Sequence, residues 1–155
     1  MMNPNLQIVQ NESYVVVMTE MIHDARIIRL GKTHHEDGIN RWMGDSVGHW
    51  EGDTLVVHSE HFRPEQSTDR MGFRVSEQFE VIEHYTLTSD ETIHYHFTIN
   101  DPRAYGVPIS GERTLTRNPP EARLYGYECH EGNYSLAAIL RGARISEVRA
   151  ELGRD

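Results

Sequence analysis

The sequence predicts a mainly β fold: an antiparallel sandwich or up-and-down barrel of about seven or eight strands, closed by one C-terminal α-helix. Three observations predict it. Stretches of alternating, β-branched residues recur at hairpin spacing, with no helical period between them. Clusters of glycine, asparagine, aspartate and proline punctuate them. Only in the last part of the chain does the apolar period lengthen to that of a helix.

Taken in order, SYVVVMTEM (13–21) alternates and reads as a strand, and ARIIRL (25–30) reads as a second. GKTHHEDGIN is polar, has glycines near both ends and reads as a loop. VGHWEGDTLVVHSEHF is a hairpin whose Glu51-Gly52-Asp53 corner supplies the positive φ of a tight turn. The polar stretch 63–72 is a loop. SEQFEVIEHYTLTSDETIHYHFTIND is a second hairpin turning at Ser89-Asp90-Glu91. ERTLTRNPPEARLYGYEC is a third, turning at Asn118-Pro119-Pro120. Leu136, Ile139, Leu140, Ala143 and Val148 then recur near helical spacing, with Asn133 as the expected N-cap.

Composition bounds the function. A chain of 155 residues suits one domain with one core. A net charge of −9 argues against nucleic acid and anionic membranes as partners. No apolar run is long enough to span a bilayer, and MMNPNLQIVQ has no secretory pattern. Cys129 is the only cysteine, so no internal disulfide forms, which fits a cytoplasmic protein. Lys32 is the only lysine and sits in a polar loop, a poor place to desolvate a Schiff-base amine. There is no GxGxxG, Walker loop or nucleophile elbow.

HWEGDTLVV resembles the strand-turn-strand wording of lipocalin and fatty-acid-binding-type barrels. EMIHDARIIRL, RWMGDSVGHWEGDTLVV, IEHYTLTSDETIHYHFTINDP and YECHEGNYSLAAILRGAR together resemble a large, mostly uncharacterised bacterial protein group, over residues 6 to 144. The resemblance implies one lipocalin/calycin-like barrel domain over 1–155, with strands at about 13–130 and the helix at about 133–152. No activity comes with it.

Several constellations could carry chemistry. MIHDAR sets His23, Asp24 and Arg26 close together: a base, a carboxylate to orient it and a cation for an anionic intermediate, or simply a surface turn with a salt bridge. RWMGDS offers Trp42 as a cavity wall and Asp45 as an acid or base, or else a loop anchor with an Asx-turn. On a strand over 123–130, Glu128 and His130 share one face as an acid/base pair, whereas Tyr125, Tyr127 and Cys129 share the other. Cys129 reads as a structural cysteine, because His130 faces away from it. Tyr125, Tyr127 and Tyr134 are candidate substrate contacts.

The histidines divide into three groups. His94 and His96 share a strand face, with His84 on the neighbouring strand, and could chelate a metal; the clean alternation favours a solvated outer face over an apolar core face instead. His34-His35-Glu36-Asp37 is a ligand-dense loop. His58 and His61 have opposite strand parity and need a bulge to act together.

These readings give three functions. The first is a cofactor-independent lyase or isomerase acting by acid/base chemistry on an aromatic or polycyclic small molecule in a barrel cavity. Its catalytic groups would be His23, Asp24, Asp45, Glu128 and His130, and its substrate contacts Arg26, Trp42 and the tyrosines. The second is a carrier of a lipophilic small molecule, for which an apolar cavity with one or two polar anchors is diagnostic. The third is a metal-dependent enzyme built on His84, His94 and His96. A homodimer that buries an open apolar face is the assembly the sequence leaves open.

Overall fold

The computed structural model describes residues 5–66, 74–126 and 134–153. The chain divides into two compact units, residues 1–125 and 126–155. The first unit holds one eight-stranded sheet in which every strand lies beside its neighbours in sequence. The strands are β1 (Leu6–Gln10), β2 (Tyr14–Thr19), β3 (Ala25–Leu30), β4 (Asp45–Glu51), β5 (Thr54–Glu60), β6 (Glu80–Ser89), β7 (Thr92–Asn100) and β8 (Ile109–Thr116). The sheet curls into a half-barrel. Its edges, β1 and β8, are not joined by a strand ladder among the described residues.

The expected elements form, with four differences. The sequence reading did not include β1, because LQIVQ has little alternation and its side chains are mostly exposed. It pairs fully with β2, from Leu6 opposite Thr19 to Gln10 opposite Val15. The second difference is that β3 and β4 pair in parallel, with Ile28 opposite Ser46 and Leu30 opposite Gly48. A parallel pair needs a long crossover, and the polar residues 31–44 supply it. The crossover is stitched to the end of β5, where Arg41 N–H donates to the His61 carbonyl at 2.8 Å and Arg63 N–H to that of Arg41 at 3.1 Å.

The third difference is that the hairpin expected after β8 has no return strand within 117–126. Two prolines there carry no N–H for a ladder. The segment turns instead through Ala122 N–H to the Pro119 carbonyl at 2.9 Å. It then crosses to the opposite edge, where Asn118 Nδ2 donates to Asn5 Oδ1 at 3.3 Å and Tyr125 N–H to Glu20 Oε1 at 3.0 Å. Residues 127–130 lie outside the described residues. The fourth is at the helix. α1 spans Ser135–Glu151 and presents no buried residue. Its expected cap, Asn133, lies outside the described residues. No helix among the described residues is long and apolar enough to cross a membrane.

The alternation decides which side chains face inwards. Val15, Val17, Ile28, Leu55, Val57 and Tyr85 form the buried cluster on the concave face, and Leu6, Leu30, Ile93, Tyr95 and Leu115 pack against it. His84, His94 and His96 have the opposite parity and lie on the convex face. The β4–β5 corner uses Gly52 at φ 59°, as expected.

Asp101, just beyond β7, is 1% exposed. It accepts from Ser76 Oγ at 2.6 Å, from Ser76 N–H at 2.7 Å and from the N–H groups of Arg103 and Ala104 at 3.2 Å each. Burial opposes its charge, but these donors outweigh it and hold its pKa below the ordinary value. A depressed folded pKa stabilises the fold above the unfolded pKa of about 3.9, and that contribution is lost as pH falls through the folded pKa. Asp101→Asn is therefore expected to cost about 1–3 kcal/mol at pH 7, because an amide nitrogen then faces an N–H donor. The gap to wild type should close as urea unfolding is repeated down to about pH 3; a gap constant with pH would contradict this.

Candidate functional site

The concave face carries a buried polar network beside its apolar cluster. Arg26 on β3 points inwards and meets Glu83 on β6, with Nη1 to Oε2 at 2.5 Å and Nη2 to Oε1 at 2.9 Å. Arg26 Nη2 also donates to the Tyr85 hydroxyl at 3.0 Å. The hydroxyls of Tyr85 and Tyr95 both donate to Glu83 Oε1, at 2.9 and 2.8 Å. Burial works against the Arg26 charge, but the Glu83 carboxylate outweighs it and raises the guanidinium pKa. Burial first, reinforced by Glu83, pushes both phenols above their usual value, so they stay protonated donors.

Beside the network lies a cavity of about 450 Å³. Val15, Val17, Leu55, Ile93 and Trp50 are among the residues that wall it, and the Tyr85 ring links it to the network. Its polar lining is Gln10, Asp53, Arg117 and the Tyr85 phenol. A second, more polar opening of about 1010 Å³ runs between the unjoined edges and is lined partly by Leu6, Ile8, Leu115 and Arg117. The two share Ile8, Leu87, Ile93 and Arg117, so together they form one trough. Cavities of this size suit small-molecule ligands.

The convex face carries a second constellation. The crossover folds His34 back over β4 and β5. His34 Nδ1 lies 3.1 Å from Asp45 Oδ2, and His34 Nε2 lies 2.8 Å from His58 Nδ1. His58 Nε2 lies 3.2 Å from Glu80 Oε2, and Asn100 Nδ2 donates to Glu80 Oε1 at 2.6 Å. The result is a carboxylate-imidazole-imidazole-carboxylate chain. Asp45 is 5% exposed, and burial opposes its charge. The His35 N–H, His34 and Arg29 outweigh that and lower its pKa. The Asn100 amide does the same for Glu80. Glu60 Oε1 stands 3.8 Å from His34 Nδ1 and 3.5 Å from His61 Nε2. His61, directly after β5, has a left-handed backbone at φ 56°. Its ring centroid is 6.2 Å from that of His34.

The candidates from sequence scatter across these places. Arg26 reaches the concave network and Asp45 the convex chain. His23 and Asp24 are exposed in the β2–β3 turn, with His23 at φ 61°. Trp42 is 57% exposed and stacks under the Arg63 guanidinium at 5.2 Å, away from the residues that line the trough. Tyr125 and Tyr134 are exposed. Glu128, His130 and Tyr127 lie outside the described residues, as does Cys129. Of the strand histidines, His84 stands opposite His96 in register, with ring centroids 5.8 Å apart, whereas His94 meets Glu112 at 3.2 Å. Sequence reasoning missed Glu83, the only carboxylate on an inward-facing strand position of β6; the alternation of EVIEHY carries that signal.

Compared with known proteins, the chain matches no family model, no curated protein and no solved structure.

Proposed function

We propose that the protein binds a lipophilic, ring-bearing small molecule in the concave trough, as a lipocalin-like carrier does. One observation carries this reading. The cavity wall is mainly aliphatic and aromatic, with Gln10, Asp53, Arg117 and Tyr85 as its polar residues. Arg26 and Glu83 spend their hydrogen bonds on each other and on the tyrosines, so they stiffen the floor of the site.

A second reading adds chemistry at the same place: acid/base elimination or isomerisation of an aromatic or polycyclic substrate. It is favoured by the Tyr85 phenol, which belongs to the charged network and also lines the cavity. Tyr85 would turn its one O–H proton from Glu83 to a developing oxyanion, with Arg26 behind it.

Trp50 lines the cavity and reports on both readings. In a Trp42→Phe background, an anilinonaphthalene sulfonate probe is expected to saturate one site and quench Trp50. Ile93→Glu, which puts a carboxylate into the apolar wall, should weaken it at least about tenfold, about 1.4 kcal/mol, with an unchanged far-UV spectrum. Unsaturable probe uptake, or full binding by Ile93→Glu, would sink the proposal. Turnover of a naphthalene-sized β-hydroxy ketone to its enone and water, lost in Tyr85→Phe with the probe still bound, would select the second reading over carriage.

A further inference from the structure

The convex chain has a shortage of donors at its centre. A carboxylate accepts only, and a neutral imidazole has one N–H. Asp45 faces His34 Nδ1 and Glu80 faces His58 Nε2, so each ring spends its N–H on a carboxylate. His34 Nε2 and His58 Nδ1 are then left facing each other, 2.8 Å apart, as two lone pairs. Lone pairs that close on two neutral rings repel unless a proton or a metal ion sits with them. A third carboxylate is near: Glu60 Oε1 stands 3.8 Å from His34 Nδ1, and one ligand atom from each of His34, His58 and Glu60 falls within 4.8 Å of the other two.

We propose that His34, His58 and Glu60 form a binding site for a divalent transition-metal ion of the zinc class. Two imidazoles and one carboxylate suit such an ion, whereas calcium and magnesium prefer all-oxygen sets. The two carboxylates behind the rings are what such a site needs. Each fixes its ring's tautomer, presents the other nitrogen to the metal and raises that nitrogen's basicity. The local charge agrees: Asp45, Glu60 and Glu80 surround the rings, and Arg29, at 2.9 Å from Asp45, is the cation paired with them. Tetrahedral ligands on zinc stand about 3.3 Å apart, so the rings need open only slightly from 2.8 Å. The fourth position falls to water or to His61, whose buried Nδ1 has no hydrogen-bond partner among the described residues. The site lies on the opposite face of the sheet from the trough and stands independently of what the trough binds.

The test uses untagged full-length protein stripped with a chelator and titrated with cobalt(II). Wild type is expected to take up one equivalent with a visible d–d absorption band, to release it to zinc(II), and to melt at a higher temperature with zinc present. His58→Ala and Glu60→Gln should abolish the band. Asp45→Asn, which removes a carboxylate behind a ligand, should weaken binding about 10–100-fold. His94→Ala with His96→Ala should leave it unchanged. Should His58→Ala fail to fold, Glu60→Gln decides, because the Glu60 side chain is 31% exposed and the change keeps its size. No stoichiometric uptake by wild type, uptake undiminished in Glu60→Gln, or loss on changing His94 and His96 would each overturn the assignment.

Discussion

Glu83→Ala is expected to lower the stability of the sheet by about 3–5 kcal/mol, the usual cost of removing one partner of a buried ion pair. The side chains of Arg26 and Glu83 are only 13% and 4% exposed, so water cannot replace the missing carboxylate. Three groups lose their partner at once: the Arg26 guanidinium and the hydroxyls of Tyr85 and Tyr95. The mechanism has a specific signature. Arg26→Met combined with Glu83→Gln removes the charge from both sides, and the glutamine oxygen still accepts from both phenols. The double variant should therefore recover most of the loss in urea unfolding. A double variant as unstable as Glu83→Ala would place the cost in packing and refute the unpaired-charge account.

Gly44→Val should be the most damaging change outside the barrel core, at about 2–6 kcal/mol from two additive sources. Gly44 sits at φ +68°, where a β-branched residue is strained by about 1–3 kcal/mol. A Cβ there would also lie 2.7 Å from the Phe62 ring, and overpacking adds about 1–3 kcal/mol. The ring cannot easily give way, because it meets the buried Phe79 edge to face at 5.0 Å. Phe62→Leu in the same chain should return the packing part and leave the backbone part. If it returns nothing, the clash is not a source of the loss. Gly44 directly precedes Asp45, so the same variant should also disturb the His34–Asp45 contact.

The sheet was legible because its signals are local. Alternation in YVVVMT, ARIIRL, TLVVHSE and TIHYHFTIN assigns each strand its inward side chains without knowledge of any partner. The parallel β3–β4 pair was not legible, since nothing in GKTHHEDGIN says that the loop runs back the length of a strand. The convex chain stayed hidden for the same reason. His34, Asp45, His58 and Glu80 come from four separate segments: the ladders of β4, β5 and β6 gather the last three, and the crossover adds His34. The parity argument against joining His58 and His61 directly stands beside the structure: each meets the His34 ring, with centroids 4.9 and 6.2 Å from it. The prolines at 119 and 120 do lie in a turn, as read, but the chain that leaves it crosses to the opposite edge instead of returning beside β8.

The neighbour order of the strands also bears on how quickly the chain can find its fold. Five of the seven ladders join strands linked by eight residues or fewer, so loop closure costs them little entropy and those pairings can zip in succession from their hairpins. The parallel β3–β4 contact and the antiparallel β5–β6 contact are the exceptions: they form only after the connections 31–44 and 61–79 have closed. Those two long closures are then the natural bottlenecks. Until they are made, β1–β3, β4–β5 and β6–β8 are separate ribbons, each with an unpaired edge that can recruit another chain.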